Sequence, residues 1–450
     1  MRTDLKPALL AAAIAAGILA TQASHAEAPT GARPVTQQRQ LAAFSAIELD
    51  GPFDVVVRAQ GRQAVELRGE PQQLADIETV VRGDTLVVRQ LPRNGFGLHW
   101  GKRRDSVTVA ITAGSLHSLK MAGSGDVELS GVTGERFSVA VDGPGDLQAA
   151  GTVRDLTVRA GGSGDADLQR LKAANVELTM SGPGDVRLAG VGNVLAATVS
   201  GSGDLEATDL RLSRLNARLS GPGGMKLAGR ARELRLEASG SGDFEACELA
   251  ADAVSTTQRG PGNACVAGTI TKFDAELSGS GELQASGLRA PKATLRMSGP
   301  GNVELNGEIG ELTAELSGSG DLEGGGLIVS RALLKARGPG GIELDNVSDT
   351  LDADLRGSGG LEARMDGKRL LLRMSGPGGA QVAGKVHLVK AQLSGSGALN
   401  GRKLRADRAE IAVTGPGNAT VNVPEQGGRR SRGEDEMLVV DRSGSRYRAP

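Results

Sequence analysis

The chain has 450 residues, of which 39% are hydrophobic and only 2% aromatic, with 67 glycines, two cysteines and a formal net charge of −1. Because there is no basic excess, the composition argues against nucleic acid or an anionic membrane as the partner. So few aromatic residues leave Leu, Val, Ala and Met to fill the core, which suits a narrow coil.

The N-terminal segment 1–26 has the pattern of a secretory signal peptide. Arg2 and Lys6 lie in a charged start, an apolar run extends over residues 7–20, and Ser24-His25-Ala26 forms a small-x-small cleavage site. A retained anchor is the alternative, although the run is shorter than the ~20 apolar residues of a membrane span. The sequence predicts an exported protein, periplasmic, on the outer surface or secreted, with no transmembrane segment after cleavage.

Residues 27–120 are predicted to be a β-rich lead-in. Segments such as Phe53–Arg58 and Thr85–Arg89 alternate apolar and polar residues, but the segment lacks the period that follows. Because a solenoid needs its first coil covered, we interpret this segment as a cap or lead-in coil. Residues 92–106, with Trp100 and a basic cluster at 102–104, are predicted to be an exposed loop.

Sixteen Gly-x-Gly triplets follow between residues 123 and 417, with a 19- or 20-residue spacing, and their middle residue alternates strictly between Ser and Pro. A fixed period of this kind indicates one supersecondary unit repeated, each copy completed by its neighbours. We assign residues 121–423 to this array. The predicted corners include Gly123, Gly125, Gly201, Gly203, Gly318 and Gly320.

Apolar residues alternate with polar ones on both sides of each triplet, as Leu215, Ala217 and Leu219 do before the triplet at Gly221. A period of two indicates strands. Glycine at a bend allows positive φ and close approach of neighbouring coils, and proline fits a corner because it lacks an amide donor. The prediction is an all-β fold: a parallel β-helix solenoid of about sixteen coils, each with two strands, a Gly-Ser/Pro-Gly corner and a return loop.

The alternation of Ser and Pro permits two coil lengths. In one, every triplet begins a new 19- or 20-residue coil. In the other, a 39-residue coil contains two triplets, with all Ser corners on one edge and all Pro corners on the opposite edge. We favour the shorter coil because five inward residues already fill a two-sheet turn.

After residue 423 the repeat stops. Residues 424–450 are rich in charge and glycine and contain few apolar residues. Because such a segment has too little apolar surface to pack, it is predicted to be a disordered charged tail.

These residues resemble a known family. The run Met121-Ala122-Gly123-Ser124-Gly125-Asp126-Val127-Glu128-Leu129 and the lead-in around Phe53-Asp54-Val55 are similar to bacterial adhesins of the head GIN domain family. The resemblance covers about residues 40–423. It implies a two-sheet β-helix of pectin-lyase-like outline, exported by a bacterium and associated with cell adhesion.

Two features of the array leave alternatives open. Cys247 and Cys265 lie in neighbouring units with a two-residue offset, so they form either a disulfide or two small Ala-like sites. In the Ser-type units, positions three and five after the first glycine carry carboxylates, which we interpret as a solvated acidic stripe or as a weak divalent-cation site. Its members are Asp126, Glu128, Asp165, Asp167, Asp204, Glu206, Asp243 and Glu245.

No catalytic, cofactor or metal-spacing motif emerges from the sequence, and no cofactor is predicted. The sequence favours a non-catalytic, exported structural or adhesion-type protein that presents a long repetitive surface to a cell-surface or envelope glycan or protein. It could also form an oligomer. The alternatives are a polysaccharide-acting β-helix enzyme and a cation binder along the acidic stripe.

Overall fold

The computed structural model describes residues 34–92, 107–423 and 437–448. Strands make up 69% of the chain and helix 1%, in a β-solenoid of about 15 turns, which confirms the predicted all-β solenoid. The predicted signal peptide, and all of the predicted basic loop except residue 92, lie outside the described residues.

The described ranges contain one short helix and 28 strands, joined in one continuous hydrogen-bonded network. Their bounds are β1 Val35–Arg39, β2 Ala46–Asp50, β3 Asp54–Arg58, β4 Ala64–Gly69, α1 Pro71–Ala75, β5 Ile77–Arg82, β6 Thr85–Gln90, β7 Thr108–Thr112, β8 Ser118–Met121, β9 Val127–Val141, β10 Leu147–Ala160, β11 Ala166–Met180, β12 Val186–Ala189, β13 Val194–Val199, β14 Leu205–Leu219, β15 Met225–Ala238, β16 Phe244–Gln258, β17 Ala264–Ile270, β18 Lys272–Leu277, β19 Leu283–Met297, β20 Val303–Leu316, β21 Leu322–Ala336, β22 Ile342–Leu355, β23 Leu361–Met374, β24 Ala380–Leu393, β25 Leu399–Val413, β26 Ala419–Asn422, β27 Met437–Asp441 and β28 Gly444–Arg448.

The strand register decides the coil length. Val127 of β9 pairs in parallel with Leu147 of β10, and Leu147 pairs with Ala166 of β11. Each of these pairs joins one triplet unit to the very next one, so every triplet begins a new coil. The 39-residue coil is therefore wrong. The shorter coil forms because its alternating inward side chains already close the core between the two arms of one turn.

The triplet glycines are required for close approach between coils. A Cβ built on Gly201 would lie 2.1 Å from the carbonyl oxygen of Gly182 in the preceding coil, and one on Gly318 would lie 1.9 Å from that of Gly299. No side chain fits at such distances. The predicted positive φ is wrong at these corners, since the positive-φ glycines of the described ranges include none of the six named corner residues.

Positive φ occurs instead on the opposite edge, where the chain returns to the first sheet. Gly131, Gly190 and Gly287 have φ of 76°, 74° and 76° there. The predicted return loop is mostly absent in the described coils, because the chain stays hydrogen-bonded through the turn as one strand with an irregularity, as between Gln148 and Ala150 of β10. Such a β-bulge bends a strand without ending it.

The core is a single continuous column of Leu, Val, Ala and Met along the array, with Phe137, Phe244 and Phe273 among its largest fully buried side chains. Thr256 and Gln258 are exceptions, buried at inward positions of one coil. The Gln258 amide donates to the backbone oxygens of Gly262 and Glu282, at 3.3 and 3.4 Å. These bonds satisfy the Gln258 Nε2 donor, whereas Gln258 Oε1 and Thr256 Oγ1 have no hydrogen-bond partner in the described ranges, which is costly in the core.

The lead-in contains a coil of the array itself. Strand β2 pairs in parallel with β8, and β3 pairs in parallel with β9, so residues 46–58 stack directly on the coil of the first triplet. Gly51 forms the corner of this coil, because a Cβ on Gly123 would lie 2.2 Å from its backbone nitrogen. Residues 59–117 are thus an insertion, whose β6 and β7 pair with the other edges of β2 and β3.

The C-terminal segment is ordered where it is described. Strands β27 and β28 form an antiparallel hairpin, and β27 pairs with β26 of the last coil. Leu438 and Val440 are buried. The prediction of a disordered tail is wrong for residues 437–448, because this short apolar alternation covers the open end of the solenoid, as terminal units of repeat proteins must. Residues 424–436 lie outside the described residues.

Candidate functional site

In nine coils the residue three positions after the first glycine of the triplet belongs to a side-chain ladder along the corner edge. Asp126 Oδ1 accepts a hydrogen bond from the backbone N–H of Asp146 in the next coil at 3.0 Å, and Asp146 Oδ1 accepts one from Asp165 at 2.9 Å. Each of these coils is thus tied to the next coil at the start of its second arm. The acceptors are Asp126, Asp146, Asp165, Asp185, Asp204, Asp243, Asn263, Asn302 and Asp321.

The ladder gives a structural role to half of the predicted acidic stripe. Asp165, Asp204 and Asp243 are acceptors in it, and sequence reasoning missed Asp146 and Asp185 because it assigned the carboxylates to Ser-type coils alone. The predicted restriction of carboxylates to Ser-type coils is therefore wrong at this position, since the Pro-type coils of Asp146 and Asp185 continue the ladder. The signal was present in the sequence: Asp and Asn, whose short side chains accept hydrogen bonds from nearby backbone N–H groups, recur at this position in both types of coil.

The other half of the stripe, five positions after the triplet glycine, is not continuously acidic. Glu206 pairs in register with Arg187 on one side and Lys226 on the other, and Arg187 Nε lies 4.0 Å from the Glu206 carboxylate. Lys226 in turn separates Glu206 from Glu245. Glu128 and Asp167 are likewise separated by uncharged Gln148. Cation binding along this stripe stays a prediction.

A groove opens in later coils, where the ladder is interrupted. At Gly341, Gly360, Gly379 and Ala398 the ladder position carries no polar side chain, and the space left there forms a groove of about 590 Å³. Its lining runs from Asp321 to Asn400 across five coils. The groove therefore follows from the loss of one side chain per coil and not from any change of the backbone lattice.

One wall of this groove is a column of glutamates. Members of the column are direct cross-strand partners, so their backbones lie about 4.8 Å apart, and like charges at that spacing are unfavourable. Glu323 and Glu343 are exposed, and neither carboxylate has a hydrogen-bond or ion-pair partner in the described part of the chain. The column is Glu304, Glu323, Glu343 and Glu362, and amides of Gln284 and Gln381 donate to its two ends at 2.9 and 3.0 Å.

The floor of the groove presents backbone donors. Earlier in the array, the N–H at the ladder position donates to the preceding Asp or Asn, as Gly341 N–H does to Asp321 Oδ1. The N–H groups of Gly360, Gly379 and Ala398 have no such acceptor among the described residues, because the preceding coil supplies only Gly. The groove thus combines a row of donors with a row of carboxylate acceptors, a pattern suited to a ligand rich in hydroxyl groups.

The sequence profile described as "Putative auto-transporter adhesin, head GIN domain" matches residues 43–228, 193–287, 226–306, 268–363 and 342–434. The chain belongs to this family. The predicted family resemblance is therefore confirmed. No curated protein sequence matches the chain.

Three solved structures are similar to this head GIN domain protein. A putative adhesin from Bacteroides fragilis is 17% identical, with 65% of this chain and 96% of the other covered and a TM-score of 0.25. A putative lipid binding protein from Parabacteroides distasonis is 17% identical, with 66% and 96% covered and a TM-score of 0.30. A putative adhesin from Parabacteroides merdae is 14% identical, with 65% and 95% covered and a TM-score of 0.26.

No helix in the described ranges is long and apolar enough to cross a membrane. Within the same ranges, no group of three or more His, Cys, Asp or Glu side chains is arranged to hold a metal ion. The acidic side chains stand in rows one coil apart and do not converge on a common point.

The two cysteines of the head GIN domain protein form a disulfide. Cys247 and Cys265 are bonded, with their Cα atoms 5.3 Å apart. Cys265 pairs in register with Glu245, two residues before Cys247, and the register shift between Ala246 and Ala250 brings the two cysteines within reach. The bond joins consecutive coils on the outer face of the second arm.

Proposed function

We propose that this protein is a non-catalytic, exported, adhesion-type rod that contacts a cell-surface or envelope glycan or protein through the groove between Asp321 and Asn400. The observation that carries the proposal is the coincidence, in the same coils, of unpartnered carboxylates and acceptor-free backbone donors. Membership in an adhesin family supports the same role. The length of the groove along five coils suits a partner that is itself extended.

The groove favours binding over catalysis. Glycoside hydrolysis needs two carboxyl groups in contrasting environments, one held protonated as the acid and one ionised. Glu323 and Glu343 occupy equivalent lattice positions and are both exposed. A row of equivalent carboxylates provides repeated contacts for a repeating ligand and does not provide one distinguished reacting centre.

The proposal is tested by measuring retention of the purified protein on glycan arrays and cell-envelope fractions. We expect Glu323→Gln together with Glu343→Gln to reduce binding about tenfold, because each lost hydrogen bond to a charged acceptor costs about 1.5–3 kcal/mol when its partner is bound. The matched control is Glu128→Gln with Asp167→Asn, which removes the same charge at the same lattice position outside the groove. Equal loss in both variants, or no binding by the parent, would contradict the proposal.

Calcium provides the complementary test of the acidic stripe. We expect calcium to leave the melting temperature of the parent unchanged, since ligand binding to the folded state would raise it. A rise of several degrees that disappears when Asp165, Asp204 and Asp243 are changed to Asn would instead favour the cation-binding hypothesis. Asn is a suitable replacement because Asn263 already accepts the ladder hydrogen bond from Glu282 at 2.9 Å.

A further inference from the structure

A second cleft lies on the return edge of the solenoid, across β14, β15 and the turn that precedes β13. Its volume is about 810 Å³. Unlike the groove, it is lined by basic side chains. Its polar lining consists of Asn193, Asp209, Arg211, Ser213, Arg230 and Arg232.

The three arginines of this cleft lack acidic partners. Arg211 is the direct cross-strand partner of Arg230, and Arg232 is the next outward residue on the same strand. None of the three guanidinium groups forms an ion pair or hydrogen bond in the described part of the chain. Arg214 on the neighbouring outward position does, since its Nε lies 3.3 Å from the Glu233 carboxylate.

Two carboxylates stand near the cleft without neutralising it. Asp209 lies in its lining, and Asp252 follows Arg232 in the register of the next coil, between Ala251 and Ala253. Neither lies within ion-pairing distance of the three arginines. Stacked guanidinium groups with no counter-charge are unfavourable neighbours, and a bound oxyanion would relieve their repulsion.

The wall beside the arginines is held in place by a polar ladder. The Ser213 hydroxyl lies 2.7 Å from Asn193 Oδ1, and Asn193 Nδ2 donates to Asn175 Oδ1 at 2.9 Å. Asn175 Nδ2 in turn donates to Asp155 at 2.7 Å, and this bond, with the Arg154 guanidinium next in effect, lowers the pKa of the Asp155 carboxyl. The wall is therefore ordered before any ligand arrives.

Backbone strain marks the same place. Asp209 has φ of 53° and is the single non-glycine residue with positive φ in the described ranges. In other coils the same position, eight residues after the first glycine of the triplet, is a glycine with positive φ, as at Gly131, Gly190 and Gly287. An aspartate in this conformation is less favourable than glycine, and such strain clusters at functional sites.

We propose that this cleft binds the phosphate or sulfate ester groups of an anionic surface glycan. Guanidinium groups bind such oxyanions in paired hydrogen bonds, and arginines on adjacent strands repeat at about 4.8 Å along the rod. The cleft volume exceeds that of one phosphate, so the site fits a substituted polymer. Because the whole chain carries a net charge of −1, the attraction is local to this cleft. The inference rests on the proposed surface-binding function but uses a site separate from the groove.

The test uses heparin as a sulfated polysaccharide and dextran as a neutral one, with binding measured by calorimetry at fixed salt. We expect Arg211→Gln with Arg230→Gln to weaken heparin binding about tenfold or more. The control is Arg214→Gln with Arg218→Gln, which removes equal charge from arginines already paired with Glu233 and Glu237. Any binding by other basic surfaces affects both variants alike. Equal weakening in both, or no heparin binding by the parent, would overturn the proposal.

Three additional measurements separate the sources of the anion and the two sites. Asp209→Asn is expected to strengthen heparin binding, because it removes a negative charge and keeps a residue type that tolerates positive φ. Inorganic phosphate and phosphatidylglycerol vesicles are expected to bind weakly, and binding of either one as strong as that of heparin would refute the glycan assignment. Glu323→Gln with Glu343→Gln should leave heparin binding intact, so failure of the groove and failure of the cleft are distinguishable.

Discussion

The coils between Asp126 and Asp204 and those between Gly341 and Ala398 share one backbone lattice and one type of core, yet their corner edges differ. In the first group every ladder position carries an aspartate that caps the next coil. In the second group the position is Gly or Ala, and a groove takes the place of the ladder. The inward residues of the core therefore determine the backbone path of the coil. The single outward residue at the ladder position determines whether the corner edge carries the ladder or the groove.

This separation explains how a repetitive protein can carry a local site. Inward positions must keep nearly constant volume from coil to coil, since each coil packs only on its neighbours. Outward positions have no such restriction. The charge column beside the ladder changes as well, from alternating Asp167, Arg187 and Glu206 in the sealed coils to the successive glutamates Glu323, Glu343 and Glu362 along the groove.

The largest decrease in stability is expected where a substitution disrupts the close backbone contact between neighbouring coils. Gly201→Val and Gly318→Val each place a Cβ within about 2 Å of a backbone oxygen, so we expect a loss of roughly 3 kcal/mol or more, or failure to fold. Gly360→Val is the control, because the nearest atom to its Cβ lies 3.9 Å away. Urea unfolding measures the difference. Corner variants as stable as the control would show that neighbouring coils can separate at no cost.

Loss of the disulfide, which lies between the two groups of coils, is expected to give the next largest decrease in stability. Cys247 and Cys265 are 18 residues apart in sequence, and closing a loop of about that length in the unfolded chain corresponds to roughly 3 kcal/mol. Cys247→Ala with Cys265→Ala should lower the unfolding midpoint accordingly. Adding reductant should lower the midpoint of the parent and leave the variant unchanged. A parent insensitive to full reduction would contradict this expectation.

The ladder is expected to contribute about 1 kcal/mol per coil, the usual net value of one hydrogen bond. Asp185→Ala should therefore destabilise the protein by about that amount, whereas Asp185→Asn should be neutral. The reverse change sharpens the comparison: Gly341→Asn gives the Gly360 N–H an acceptor and should stabilise the open coils while narrowing the groove. Thermal unfolding measures all three variants. If Asp185→Asn were as harmful as Asp185→Ala, the charge and not the hydrogen bond would be responsible.

The sequence was sufficient to predict the coil but not to predict the features at its edges. Period-two alternation and the triplet spacing predicted the solenoid and its short turn, because both are imposed by the core. A cap or lead-in coil was predicted within residues 27–120, but its position at residues 46–58 was missed, because the insertion 59–117 separates it from the array and its corner, Gly51-Pro52-Phe53, lacks the second glycine of the triplet. The groove was also missed, since absent side chains at Gly360 and Gly379 leave no motif and acquire meaning only when stacked.

The same limit applies to the disulfide and the C-terminal hairpin. The two-residue offset of Cys247 and Cys265 left their pairing open, because a register shift inside β16 is invisible in the sequence and alone brings them together. The hairpin was missed because composition averaged over residues 424–450 conceals the short apolar run that begins at Met437. Local alternation was the better guide there, since capping a coil needs only a few inward side chains.

The smallest change in stability is expected for an ion pair on the return edge of the open coils. The Asp349 carboxylate lies 3.1 Å from Lys368 Nζ and 3.6 Å from Arg331 Nε. The hydrogen bond from Lys368 is the main cause that lowers the pKa of Asp349 below its ordinary 3.8, and the charges of Lys368 and Arg331 add to it. A carboxyl group whose pKa is lower in the folded than in the unfolded state stabilises the protein above the unfolded pKa, and this contribution is lost as pH falls through the folded pKa. We therefore expect Asp349→Asn to be less stable than the parent at pH 7, by less than about 1 kcal/mol, since partly exposed pairs contribute little.

The difference between parent and Asp349→Asn should remain constant from pH 7 to about pH 5 and shrink towards zero below pH 3.8, where the parent carboxyl also becomes neutral. Asp366→Asn, on the next strand, is the control, since Asp366 forms no ion pair in the described part of the chain. Urea midpoints between pH 2.5 and pH 7, about the range that spans both protonation states, provide the measurement. A difference that persists unchanged at the lowest pH would mean that Asp349 acts through packing of the return edge, so that this edge, like the core, would be restricted by shape more than by charge.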